Sequence, residues 1–119
     1  MENSNAQRII KALQTEVKAN GITTEKLVPE LKKLREFALI EEKPFLVKAL
    51  RLAYEHLEEN NDFLVTIPSD EPIEDEVLNN NENSSSESFD YFVTLMLDVE
   101  NKHNIADLKE YNQQFLNAK

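Results

Sequence analysis

Apolar residues recur at helical spacing through most of the chain. Ala6, Ile9, Ile10, Leu13 and Val17 fall at i, i+3, i+4, i+7 and i+11, which is one helical stripe. Ser4-x-x-Gln7 reads as a capping box ahead of it, and Asn20-Gly21 closes it with a glycine suited to the left-handed C′ position. The spacing predicts a first helix over about residues 4–19. Thr23 or Thr24 can cap the next. There Leu27, Leu31, Leu34 and Ala38 make a stripe widened by Val28 and Phe37. Pro29 interrupts that pattern and fits best at N1, with 24–28 as a looser first turn. This helix ends before Pro44, and Glu41 and Glu42 near its end oppose the helix dipole, which predicts fraying. Pro44 at N1 opens a third helix whose stripe is Leu46, Ala49, Leu50, Ala53, Tyr54 and Leu57, flanked by Phe45, Val47 and Leu52. A helix apolar over so much of its circumference belongs at the centre of a bundle.

The period changes after Asn60-Asn61-Asp62. Phe63-Leu64-Val65-Thr66-Ile67 is a short extended run ending at Pro68. A lone strand has no ladder partner, so it packs as an arm on the bundle or pairs with another chain. Residues 69–88 are acidic and then Asn/Ser-rich, a composition that buries too little apolar area to offset its ordering entropy. Ile73, Val77 and Leu78 supply at most one transient helical turn. Ser84-x-x-Glu87 reads as a second capping box before Phe89, Phe92, Val93, Met96 and Leu97, a fourth helix running to about 102. Asn104-x-x-Asp107 then caps a fifth, with Ile105, Leu108, Tyr111, Phe115 and Leu116 on one face. The expectation is an all-α fold: a small bundle of about five amphipathic helices, one domain over 1–119, with an acidic, polar insert between helices 3 and 4. Its blocks are 1–60 (three helices), 61–68 (extended arm), 69–88 (insert) and 89–119 (two helices).

Charge sharpens that division. Residues 1–60 carry ten acids and ten bases, 61–88 carry eight acids and no base, and 89–119 carry five acids and three bases, for a net charge of −10. The acidity therefore belongs to the insert and not to the whole surface. The bases are interleaved with acids, so no face gathers the Lys and Arg that phosphate binding needs, and direct nucleic-acid binding is not expected. The single glycine rules out phosphate-cradling glycine loops and a Gly-x-Ser-x-Gly elbow. The chain has no cysteine, which removes disulfides, thiolate metal sites and thiol nucleophiles. A polar start, Met1-Glu2-Asn3-Ser4-Asn5, lacks the apolar core of a secretory signal, and no apolar run is long enough to span a bilayer. The expected location is cytoplasmic.

Four groups of residues stand out as candidate chemistry. Asp70, Glu71, Glu74, Asp75 and Glu76 supply hard oxygen ligands, but without the order or the turn glycine of a calcium loop. A solvated spacer is the favoured reading for them, with electrostatic steering of a basic partner as its functional rival. Leu64-Val65-Thr66-Ile67 followed by Pro68-Ser69-Asp70-Glu71 resembles a SUMO-interacting motif, an apolar β-like core with an acidic tail. That resemblance implies strand addition to a partner's sheet edge with acids against a basic rim. An apolar arm covering the bundle is the favoured alternative. Glu100-x-x-His103 has the spacing of half a di-iron site, but the other histidine, His56, has Ala53 where the second glutamate belongs. With Glu59 and Asn60 beside it, His56 lies in a surface setting, and His103 falls at a helix end where a cation complements the dipole; both read as structural or merely exposed. Phe89, Tyr91, Phe92 and Met96 form an aromatic and thioether patch, more in keeping with core than with a ligand pocket.

No acid–base pair, nucleophile or phosphate loop emerges, so no enzymatic activity and no cofactor are expected. The functional expectation is a protein–protein interaction module contacting an unknown, basic partner through Leu64, Val65, Ile67, Asp70, Glu71, Glu74, Asp75 and Glu76. A second copy of the chain stays open as a partner. Two rivals remain: an inhibitor mimicking nucleic acid through the acidic insert, and a binder of a small ligand or metal within the bundle.

Overall fold

A computed structural model describes residues 1, 3–67 and 85–117. Among the described residues five α-helices follow in chain order: α1 Ser4–Asn20, α2 Thr24–Ile40, α3 Pro44–Asn60, α4 Ser85–Leu95 and α5 Lys102–Asn117. A single 3-10 turn, Met96–Asp98, extends α4. There is no strand among the described residues. The all-α expectation holds.

The helices form a closed ring in which α1 packs on α2, α2 on α3, α3 on α5, α5 on α4, and α4 back on α1. The α2–α3 pairing is the most extensive. Helices α4 and α5 therefore pack in cis on the first three. The stripes read from the sequence line the interior: Ala6, Ile10, Leu13 and Val17 of α1, Leu27, Leu31, Leu34 and Ala38 of α2, and Leu46, Ala49, Leu50, Ala53 and Leu57 of α3 are all buried. Each fully buried Leu or Ile contributes about 1.5–3 kcal/mol of hydrophobic stabilisation. Phe89, Phe92, Met96, Leu108, Tyr111 and Phe115 close the other side of this core. The aromatic and thioether patch is thus mostly core, as favoured.

The helix ends differ from the sequence reading in instructive ways. Asn3, not Ser4, caps α1: its Oδ1 accepts from the Asn5 and Ala6 N–H groups at 2.8 and 3.2 Å. Gln7 donates to the Met1 carbonyl instead of reaching back to close a box. Asn101, not Asn104, caps α5, accepting from the His103 and Asn104 N–H groups. The Asn104 side chain instead donates to the Leu95 and Asp98 carbonyls, satisfying the end of α4 and its 3-10 turn. Helix α4 consequently stops at Leu95, short of the expected 102. Asn is as good an N-cap as Ser or Asp, so several adjacent polar residues compete for the position. The Ser84 box lies outside the described residues.

Pro29 lies inside α2 and not at its N1 position. A proline there leaves one carbonyl in the preceding turn without its helical donor. The turn persists because Leu27, Val28 and Leu31 are buried around it. At the other end of α2, Glu42 takes φ 56° and Lys43 N–H donates to the Ala38 carbonyl, a closed terminus where fraying was expected. Gly21 ends α1 with φ 75° and ψ −153°. This is not the left-handed helical basin but the extended positive-φ region that only glycine tolerates.

Candidate interaction surface

The arm starts where Asn61 turns the chain out of α3 with φ 56° and ψ 29°. Asn adopts this left-handed conformation more readily than other side-chain-bearing residues. The Asp62 carboxylate accepts from Phe63 N–H at 2.8 Å. Phe63 then drops into the bundle and is 1% exposed. Its ring lies 5.2 Å from that of Phe89, 5.7 Å from Phe92 and Phe115, 6.0 Å from His56 and 6.2 Å from Tyr111. Tilted and edge-to-face arrangements at such distances are favourable beyond the area they bury.

Residues 63 and 65 point inward and 64 and 66 outward, as an extended segment requires. The groups it pairs with are side chains on helices, not a second strand. Leu64 N–H donates to Nε2 of His56 at 3.0 Å. Thr66 N–H donates to Oε1 of Gln114 at 3.0 Å, and Nε2 of Gln114 returns a hydrogen bond to the Thr66 carbonyl at 2.9 Å. One carboxamide on α5 thus satisfies both backbone groups of Thr66, as a neighbouring strand would. Val65 is buried, Ile67 half-buried, and Leu64 is 56% exposed. Of the expected partner-contacting residues, the structure places Leu64, Val65 and Ile67 on this arm. Asp70, Glu71, Glu74, Asp75 and Glu76 lie outside the described residues.

The surface setting expected of His56 is corrected, and of the two readings it is structural and not exposed. The residue is 4% exposed, with the rings of Phe63 and Phe115 against it. Burial pushes its pKa down from the ordinary histidine value, opposed by the charges of Glu59 and Asp62. Because Nε2 accepts a backbone N–H, the ring is neutral with its proton on Nδ1. Nδ2 of Asn60 stands 3.2 Å from that atom and donates to the His56 carbonyl at 3.0 Å, so this tautomer requires the amide to turn its oxygen to Nδ1. His103 is also re-placed: it is exposed in the first turn of α5, where a cation opposes the dipole instead of complementing it. Glu100 does not pair with it. Its carboxylate binds Lys43, whose hydrogen bond and charge hold the Glu100 pKa low.

Two further surface features and one buried pair stand out. Asn3, Glu41, Lys43, Val99 and Glu100 line a polar cleft of about 470 Å³, bridged by the Lys43–Glu100 pair. Leu39 and Ile40 stand 49% and 72% exposed at the end of α2, beside a shallow recess formed with Pro44 and Val47. Under the arm, Tyr111 donates to the Ser88 carbonyl at 2.9 Å, and burial raises its phenol pKa. Among the described residues no three His, Cys, Asp or Glu side chains converge as metal ligands. No helix among them is long and apolar enough to cross a membrane. Comparison with protein families, with curated proteins and with solved structures finds no match for this chain.

Sequence reasoning missed His56 and Gln114 as the groups that hold the arm. His56 carried a usable signal: it lies three residues after Ala53, next to Leu57, on the buried face of α3. Gln114 carried none, since a glutamine beside a core phenylalanine is ordinary helix surface.

Proposed function

We propose that the protein is a non-enzymatic interaction module of the cytoplasm, whose arm and adjoining acidic run engage a basic protein partner. The observation that carries this reading is the join between two elements. The arm is displayed along the outside of α3 and α5 with Leu64 outward, and it leads straight into a stretch rich in acids and free of bases. An apolar contact flanked by one sign of charge is suited to steering and then docking a complementary surface. The helical block before it balances ten acids with ten bases. That balance favours a local acidic contact over mimicry of nucleic acid by the whole surface.

The arm's backbone already spends its Leu64 and Thr66 groups on His56 and Gln114. Strand addition of the kind a SUMO-interacting motif makes therefore requires the arm to leave the bundle first. Side-chain contact through Leu64 does not.

The test is affinity capture at low and moderate salt with the full chain, compared with a chain carrying D70N, E71Q, E74Q, D75N and E76Q. The proposal expects a basic partner retained by the parent chain, shed by salt and lost by the amide variant. The same partners on both chains, or none on either, would refute it. Self-association is read in parallel by sedimentation of the parent chain.

A further inference from the structure

We propose that His56 is an acid-operated latch: protonation of its ring releases residues 63–67 from the groove between α3 and α5. The geometry makes the latch. Nε2 of His56 accepts the Leu64 N–H at 3.0 Å, and that donor is fixed in the backbone. A second proton on the ring can only sit on Nε2, because Nδ1 already carries one. It would then point at the Leu64 N–H, setting donor against donor in a place 4% exposed. A backbone amide cannot turn round to become an acceptor, so the contact is lost and not merely weakened. On the other side Nδ1 carries a proton in both states, so the Asn60 carboxamide must present its oxygen to it in both, giving up the bond its Nδ2 makes to the His56 carbonyl.

The surroundings of the ring favour the neutral form. From the arm it faces Phe63 and from α5 it faces Phe115, neither able to balance a cation by charge. The acids acting on it are Glu59 on its own helix and Asp62 at the foot of the arm. Both favour the cation, and burial outweighs them, holding the ring's affinity for protons below the ordinary one. On α2, Lys32 is paired with Glu58 and lies over the Tyr54 ring, two positions either side of His56 along α3. On α5, Gln114 is uncharged, so its two bonds to Thr66 do not themselves change with pH, and release of the arm breaks them as well.

Release would uncover the aromatic seat and free the Leu64 backbone, which is what strand addition to a partner requires. The latch itself does not depend on the partner reading, since it is a property of the isolated chain.

The chain has no cysteine, so a single spin label can be placed at Leu64→Cys, whose side chain points outward. The label's mobility is followed from pH 8 to pH 5, and the ring protons of His56 are followed by NMR on the same protein. The latch predicts an immobile spectrum at high pH and a mobile component that grows with the His56 titration and shares its midpoint. In His56→Gln the side-chain oxygen accepts Leu64 N–H at every pH, so the transition disappears and the label stays immobile at pH 5. A mobile component that grows equally in His56→Gln overturns the proposal. So does a label that remains immobile while His56 of the parent chain titrates, or a His56 that gains no proton before the helices melt. Should His56→Gln not fold, coincidence of the two midpoints in the parent chain decides alone.

Discussion

Replacing Phe63 with alanine separates a docked arm from a segment merely lying on the surface. The ring is 1% exposed and lies between 5.2 and 6.2 Å from five other rings contributed by α3, α4 and α5. Truncation removes the anchor and leaves a cavity that those helices cannot close without moving against one another. Buried Phe→Ala changes cost about 3–5 kcal/mol. With a slope near 1.5 kcal/mol per molar urea, the unfolding midpoint should fall by about 2–3 M. The neighbouring substitution Leu64→Ala is the control: the side chain is 56% exposed, so its effect should stay within about 0.5 kcal/mol. Equilibrium urea unfolding followed by circular dichroism reads both, since the helices supply the signal. If Phe63→Ala shifts the midpoint no more than Leu64→Ala does, the arm is not part of the core and the reasoning fails.

Other outcomes follow from single features. Gly21→Ala should cost about 1–3 kcal/mol from backbone strain alone, because an added Cβ would meet only Ser86 Oγ at 3.7 Å. Gly21→Asn should be no milder, since ψ −153° is not the left-handed basin Asn tolerates; thermal melts check both. Asn101→Ala should cost about 0.5–2 kcal/mol by uncapping α5, and Asn101→Ser or Asn101→Asp should restore most of it. Folding lowers the proton affinity of His56, so the unfolded chain binds more protons and stability rises with pH. The contribution is fully present above about pH 6.5 and is lost as pH falls through the lowered folded value. Urea midpoints at pH 7.5 and 5.5 should therefore differ more in the parent chain than in His56→Gln.

The helices were legible because their apolar stripes are long and regular, as in α1 and α3, where Ile10, Leu13 and Val17 or Leu46, Leu50 and Leu57 are buried as their spacing required. The caps were not. Asn3 and Ser4, or Asn101 and Asn104, are chemically interchangeable one to three residues apart, and only backbone geometry selects between them. Pro29 was assigned to a helix start by local preference, but burial of Leu27, Val28 and Leu31 around it overrides one missing hydrogen bond. The arm's alternation was visible in Phe63 to Ile67, and with it the choice between packing on the bundle and pairing with another chain. What held it was not visible, because His56 and Gln114 become partners of Leu64 and Thr66 only once α3 and α5 lie side by side. For His56 the polar neighbours Glu59 and Asn60 suggest a surface setting, but its position on the Ala53–Leu57 face decides the burial.

Residue-resolved amide exchange at pH 7.5 tests the docked arm most directly. The N–H groups of Leu64 and Thr66 are accepted by His56 and Gln114, whereas the Leu64 and Thr66 side chains face outward. The account predicts slow exchange at both amides, well below the rate of an unstructured chain, and faster exchange at Thr66 in Gln114→Ala. Exchange at the unstructured rate at both positions in the parent chain would show that 63–67 is not latched to the bundle, and would remove the basis of both the arm's proposed role and its release by acid.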